Sequence, residues 1–428
     1  MIGTAAGGML LLLALSIPVA AAMGLVGLML GEMYSPLSIY KAVGQMAWNA
    51  GNDPILVSIP FFVLLGELLL RSGIGEGMYG AMVKWLSWLP GGLMHSNIGT
   101  SAIFSATCGS SVATAATVGT VAIPQCGRYG YNERLFLGTV AAGGTLGILI
   151  PPSINLVVYG ALTNTSIPAL YMAAMLPGIL LALLFMVTIL LCCLVKPEMG
   201  GKRLRASWAE RIASLKDLLP PLAIFVLVVG SIYIGVATPT EAAALGVLGS
   251  LFLVWITGRL NWGMLRSALE GTLLTTGMML AIIIGAYFLN FVLGSVGITR
   301  GVSTFVQELD LPPMVTMLAI VAFYFVLGMF METLSMMVAT VPIIAPVVVA
   351  LGFDPVWFGI LVVLLIETAM ITGPVGINLF VVQGLRKSGG INDVIVGALP
   401  FVGTLLAMIA LMLAVPDVAL LLPRLFGS

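Results

Sequence analysis

Charge is what this chain most lacks. Seventeen basic and seventeen acidic residues make up 8% of 428 positions, against about 25% in soluble domains. The formal net charge is zero, so the basic footprint that nucleic acid requires is missing. A single histidine, His95, excludes a two-histidine zinc motif, and no lysine follows a Walker-type glycine run. Energy for any transport must therefore come from an ion gradient or from elsewhere. The four cysteines, Cys108, Cys126, Cys192 and Cys193, match no metal or redox spacing and read as small core residues.

What is present is apolar. Hydrophobic residues make up 60% of the chain and the mean hydropathy is +1.16. Charge-free runs extend over Leu135–Val195, Leu218–Thr240 and Gly271–Thr299. Each exceeds the roughly 20 residues that one membrane-spanning helix needs. An all-α polytopic membrane protein is predicted. Met1–Gly31 has no basic leader and is too long for a signal peptide, so it is expected to be the first span.

Two apolar runs are interrupted in the same way. One reads Gly147-Ile-Leu-Ile-Pro-Pro-Ser-Ile-Asn155 and the other Thr372-Gly-Pro-Val-Gly-Ile-Asn378. Proline removes a donor and blocks the helix, leaving carbonyls that hydrocarbon cannot satisfy. A matched pair of broken spans points to a transporter's binding site. The match extends further: Ser72–Gly77 resembles Val296–Gly301, Gly130-Tyr-Asn132 resembles Gly352-Phe-Asp354, and Pro124 pairs with Pro346.

The expected organisation is an N-terminal scaffold span and interfacial segment over 1–52 and a first repeat over 53–195. A basic loop with central scaffold spans follows over 196–268, and a second repeat over 269–428. Lys196, Lys202, Arg203, Arg205, Arg211 and Lys216 place that loop in the cytoplasm by the positive-inside rule. Counting spans outward from it, equivalent segments enter from opposite sides and the C-terminus lies outside, which makes the repeats inverted. Lys41, Arg300 and Arg424 are the exceptions.

Segments 95–127 and 314–351 each lie between ends on the same side and are read as re-entrant hairpins; two full spans remain open for the second. Broken helices are expected at 134–164 and 355–385, and the last span at 396–420. A hairpin tip facing a broken helix gathers hydroxyls, carbonyls and helix ends, which suit sodium and an anion. The first candidate sodium site groups Ser105, Gly109 and Ser110 with Gly147 and Pro151. The second groups Gly328, Glu332 and Thr333 with Thr368, Thr372 and Gly376. Asn155 and Asn378 could offer amides to a substrate carboxylate, with Ser111, Pro152, Ser153 and Pro374 beside them. The competing explanation is that the small residues only permit tight helix packing.

The remaining ionisable groups have simpler explanations. An intramembrane carboxylate costs ~2.5–3.5 kcal/mol on insertion scales, so Glu332 at a tip suggests a cation partner. Glu367 fits that role or a hydrogen-bonded packing role equally well. Glu67 stands four residues before Arg71, the spacing of a local ion pair. Thr238-Pro-Thr-Glu241 is a capping box, and His95 reads as a satisfied boundary residue.

Five stretches carry a family resemblance: Gly109-Ser-Ser-Val-Ala-Thr114 running to Pro124, Gly144–Ser153, Ala237-Thr-Pro-Thr-Glu-Ala-Ala-Ala244, Gly328-Met-Phe-Met-Glu-Thr333 and Asp354–Gly359. In order and over nearly the whole chain, they resemble the large membrane (DctM-like) subunit of tripartite ATP-independent periplasmic (TRAP) transporters. Gly373 departs from it, standing where that family usually has a second proline. The resemblance implies an elevator mechanism, sodium as coupling ion with no other cofactor, and residence in the bacterial inner membrane. It also implies two partners, a small four-helix membrane subunit on a separate chain and a periplasmic substrate-binding protein. Substrates would be small organic anions such as C4-dicarboxylates or sialic acids. The rival is a channel on the same repeats, disfavoured because polarity is confined to the midplane.

Overall fold

The computed structural model describes residues 1–35, 38–373 and 375–426. These form helices, with no strand beyond one isolated bridge between Tyr131 and Gly200. Helix starts are determined locally. Ser110, Asn132, Ser153, Ser166 and Asn261 each accept a hydrogen bond from a backbone N–H of the first turn, as do Glu332 and Asp354. Such caps satisfy donors that hydrocarbon would leave unpaired.

One order of elements occurs twice: helix, short helix, hairpin, broken helix, long helix. The first set is Ser58–Arg71, Ile74–Leu86, a hairpin of Gly92–Cys108 and Ser111–Arg128, a broken helix of Glu133–Leu149 and Ile154–Thr163, and Ile167–Val195. The second is Trp262–Ser295, Ile298–Glu308, a hairpin of Pro313–Gly328 and Thr333–Ala350, a broken helix of Pro355–Met370 and Ile377–Gly384, and Ile391–Ala414. Trp208–Tyr233 and Pro239–Ile256 lie between the sets. Among the described residues, six helices are long and apolar enough to cross a bilayer, and eight if two bent pairs each count as one span. The first broken helix bends by 41°, and Ser58–Arg71 meets Ile74–Leu86 at 69°.

The centre is built from the two leading half-helices. Leu135 to Leu149 and Trp357 to Met370 are buried at every position, as a helix apolar all round must be when other helices enclose it. Ile391–Ala414 touches Glu133–Leu149 backbone to backbone: a Cβ on Gly138 would overlap the Gly397 carbonyl, and one on Gly397 the Arg134 carbonyl. Beyond that contact, buried Arg386 pairs with Glu133 at 2.7 Å and Asp393 at 3.5 Å, while Arg134 reaches Asp393 at 2.9 Å.

Several expectations change. Met1–Gly31 is not one span but two helices, Ile2–Ala14 and Val19–Tyr34, that fold back so that Thr4 meets Tyr34 at 2.9 Å. Left-handed Ser16 and helix-blocking Pro18 form the turn. The last span stops at Ala414, where Val415-Pro416 separates it from a short helix, Asp417–Phe426, closed by an Arg424–Asp417 ion pair. Helix Trp262–Ser295 runs unbroken through position 268, an expected boundary. The basic loop is shorter than 196–216, because Arg211 and Lys216 sit on the helix that starts at Trp208. Its extended part is pinned: Lys202 N–H donates to Tyr129 and the Ser87 hydroxyl to Leu204. The capping box at Thr238 and Glu241 is present, Glu67 pairs with Arg71 at 2.7 Å, and His95 Nε2 lies 2.9 Å from the Pro90 carbonyl.

Candidate functional site

Both hairpin tips and both helix breaks meet at one cavity of about 480 Å³, within the range of small-molecule sites. Gly109, Ser110 and Ser111 enter from the first tip, and Ile154 and Asn155 from the first break. Glu332, Thr333 and Leu334 enter from the second tip, and Met370 and Ile377 from the second break. Glu67 of Ser58–Arg71 and Thr275 and Met278 of Trp262–Ser295 complete the wall. Four helices thus begin at this cavity, at Ser111, Ile154, Thr333 and Ile377. Each start carries roughly half a positive charge from its aligned peptide dipoles.

The two tips differ in how they are held. At the first, Gly109 is left-handed (φ 61°), and a Cβ there would overlap the Pro152 carbonyl. A Cβ on Gly147 would lie 2.5 Å from the Ser110 carbonyl oxygen. Hairpin tip and helix break are therefore in direct backbone contact, which only glycine at both positions permits. Ser110 caps the second arm with a neutral hydroxyl. At the second tip the cap is a carboxylate: Glu332 Oε1 accepts from Thr333 Oγ1 at 2.9 Å and Leu334 N at 3.1 Å, and Oε2 from Ser335 N at 2.9 Å and Ser335 Oγ at 3.0 Å.

A second, much smaller cavity of about 10 Å³ lies between Gly328, Thr333, Ala369 and Gly376, room for one water-sized occupant. A Cβ on Gly376 would lie 2.8 Å from the carbonyl oxygens of Met370 and Thr372, so backbone oxygens crowd this break.

Sequence-predicted residues divide accordingly. Gly109 and Ser110 meet Gly147 and Pro152 directly, while Pro151 and Ser153 are buried at the break. Ser105 is fully buried with its hydroxyl unpartnered. Gly328, Thr333 and Gly376 come together at the small cavity, whereas Glu332 lines the large one. Thr368 and Thr372 line neither; their hydroxyls donate to Leu364 and Thr368 carbonyls at 2.8 and 2.6 Å. Pro374 lies outside the described residues.

The paired asparagines are not equivalent. Asn155 lines the cavity, 4% exposed, and its Nδ2 has no partner. Asn378 instead donates to Ser111 Oγ at 2.9 Å and to the Ala141 carbonyl at 3.2 Å, while Ser111 donates to the Gly144 carbonyl at 2.9 Å. It latches the second broken helix to the first hairpin and the first broken helix. Glu367 is fully buried with both carboxyl oxygens unpartnered. What sequence reasoning missed is that Glu67 faces the cavity. No sequence signal marks it, since the close neighbours of Glu67 include Gly271, some two hundred residues away, where a Cβ would lie 2.6 Å from Glu67 Oε2.

Comparison with known proteins gives concordant findings. The family described as tripartite ATP-independent periplasmic transporter, DctM component, matches residues 6–418. A C4-dicarboxylate TRAP transporter large permease protein of Pseudomonas aeruginosa is 34% identical over 95% of this chain and 94% of its own length. A sialic acid TRAP transporter large permease protein of Vibrio cholerae is 32% identical over 100% of this chain and 99% of its own. Among solved structures, the YdaH transporter of Alcanivorax borkumensis shares the fold, with a TM-score of 0.68 at 16% identity over 95% of this chain and 98% of that one.

Proposed function

The chain belongs to the DctM component family of tripartite ATP-independent periplasmic transporters, and from that premise we propose that it imports a small carboxylate-bearing solute coupled to sodium by an elevator movement. It is a multi-pass large permease subunit, a transporter component and not an enzyme. The observation that carries the finer reading is the convergence of two hairpin tips and two helix breaks on one cavity.

The moving unit comprises both hairpins, both broken helices and Ile391–Ala414, joined by the Gly138–Gly397 contact and the Arg386 ion pairs. Ser58–Arg71, Pro239–Ile256 and Trp262–Ser295 form the scaffold against which it slides. The halves are inverted repeats, with the 196–206 loop cytoplasmic and the C-terminus periplasmic. One sodium ion sits where the first tip meets the first break, at Ser105, Gly109, Ser110, Gly147 and Pro151. The other uses Gly328, Thr333 and Gly376 around the small cavity, with Glu332, Thr368 and Thr372 close by in sequence. Asn155 and the helix starts at Ser111 and Ile154 receive the carboxylate. A periplasmic binding protein delivers the solute, and a separate small membrane subunit braces the scaffold.

The test is the melting temperature of the purified chain in sodium against potassium at equal ionic strength, with Ser110→Ala and Thr333→Ala alongside. An ion at ten times its dissociation constant adds ~1.4 kcal/mol to the folded state. A sodium-specific rise that either substitution blunts is expected; equal melting in both cations would refute sodium coupling.

A further inference from the structure

We propose that the large cavity takes a monocarboxylate with an apolar body and discriminates against dicarboxylates. This rests on the reading of that cavity as the solute site, and it names the class of solute within it.

The free donors of the wall gather in one corner. The helices starting at Ser111 and Ile154 have the neutral caps Ser110 and Ser153, so their positive ends are not neutralised by any carboxylate of their own. The two starts are neighbours: a Cβ on Gly109 would overlap the Pro152 carbonyl and lie 3.6 Å from Ile154 N. Asn155 adds an amide to the same corner, 4% exposed, on the cavity wall and with its Nδ2 unpartnered. A buried donor of this kind requires an acceptor, and one carboxylate serves both the amide and the helix starts.

A second carboxylate finds no match. Among the described residues, no lysine, arginine or histidine lines the cavity. Both acidic side chains on the wall are already engaged, Glu67 with Arg71 at 2.7 Å and Glu332 with four donors of its own turn. Glu332 also occupies the helix start at Thr333. The start at Ile377 stands beside the carbonyl oxygens of Met370 and Thr372, each 2.8 Å from where a Gly376 Cβ would be, and those negative ends oppose an anion there. Thr275 adds a single hydroxyl, short of what a buried carboxylate requires. Val63, Leu70, Met278, Met279, Leu334 and Met370 make up much of the remaining wall, alkyl and thioether surface that adapts to an apolar body. The site has one place for charge and an apolar remainder.

The experiment takes dissociation constants from thermal stabilisation of the purified chain in sodium by butanoate, hexanoate, succinate and adipate. Hexanamide controls for partition of the tail into detergent. Hexanoate is expected to bind about tenfold more tightly than butanoate, as two further buried methylenes should, and at least about tenfold more tightly than adipate. Met278→Lys, at a half-exposed position on the wall, adds an ammonium and should bring adipate level with hexanoate or ahead of it. A diacid that binds as tightly as its matched monoacid, no gain from butanoate to hexanoate, an equal shift from hexanamide, or no shift with any probe overturns the proposal. Asn155→Ala should weaken all four acids alike. If hexanoate outbinds the diacids and Asn155→Ala changes nothing, the reading of this cavity as the solute site has failed instead, which separates the two failures.

Discussion

The two hairpin tips occupy matching places in the chain but are built on opposite principles. The first is closed by contact, with Gly109 and Gly147 letting the tip and the helix break touch through bare backbone. The second spans Met329 to Glu332 with no glycine, leaves Phe330 65% exposed, and is closed by charge through the Glu332 cap. The breaks differ likewise: Ile150–Ser153 is wholly buried, while at the second break, among the described residues, Val375 is 44% exposed. Close backbone contact makes the first tip intolerant of added volume. An electrostatic cap makes the second half adaptable in shape but committed in sign.

Substitution at the tips should show the largest contrast. Gly109→Ala introduces a side chain at positive φ and against the Pro152 carbonyl, and should destabilise by about 2–4 kcal/mol, combining left-handed strain with overpacking. Phe330→Ala at the second tip should change stability by no more than about 0.5 kcal/mol. Chemical denaturation in detergent reads both; comparable losses would erase the distinction between a packed tip and an open one.

The asparagines sharpen the comparison at intermediate size. Asn378→Ala removes two buried hydrogen bonds between the halves, to Ser111 Oγ and the Ala141 carbonyl, so a loss of about 1–3 kcal/mol is expected. Asn155→Ala removes a nitrogen that has no partner, and should leave the melting temperature of the solute-free protein nearly unchanged. Its effect should appear only when a carboxylate probe is added. Melting curves with and without probe distinguish an internal latch from a binding group.

The caps should give the smallest difference. Ser110→Ala should cost about 0.5–1 kcal/mol, the usual value for a neutral cap, and Glu332→Ala about 1–2 kcal/mol because a charged acceptor of four bonds is lost. Equal losses would mean that the Glu332 charge contributes nothing to holding its hairpin.

How much of this was legible can be judged residue by residue. The two breaks and the long apolar helices follow from proline placement and hydrophobic run length, which are local, and the hairpins expected at 95–127 and 314–351 were read from their small polar middles and from the span count around them. The turn at Ser16 was equally local, since Pro18 interrupts the first apolar run, and Val415-Pro416 likewise ends the last helix. The Thr238–Glu241 box and the Glu67–Arg71 pair were readable because each involves residues three or four apart. The task of Asn378 was not, because its partners Ser111 and Ala141 lie 267 and 237 residues away. Nor was the exposure of Glu67 to the cavity, which depends on a hairpin tip arriving from elsewhere.

The sequence by itself determined that this is a helical membrane protein with two interrupted spans, since hydrocarbon leaves an apolar backbone few ways to satisfy its polar groups. It also determined where helices begin, because caps and prolines act within a turn. Only the tertiary structure decided which of the paired residues face the cavity, and that one asparagine holds the halves together while the side-chain nitrogen of the other has no partner. Those outcomes depend on which helices pack side by side, a long-range property that residues in matching positions of a repeat need not share.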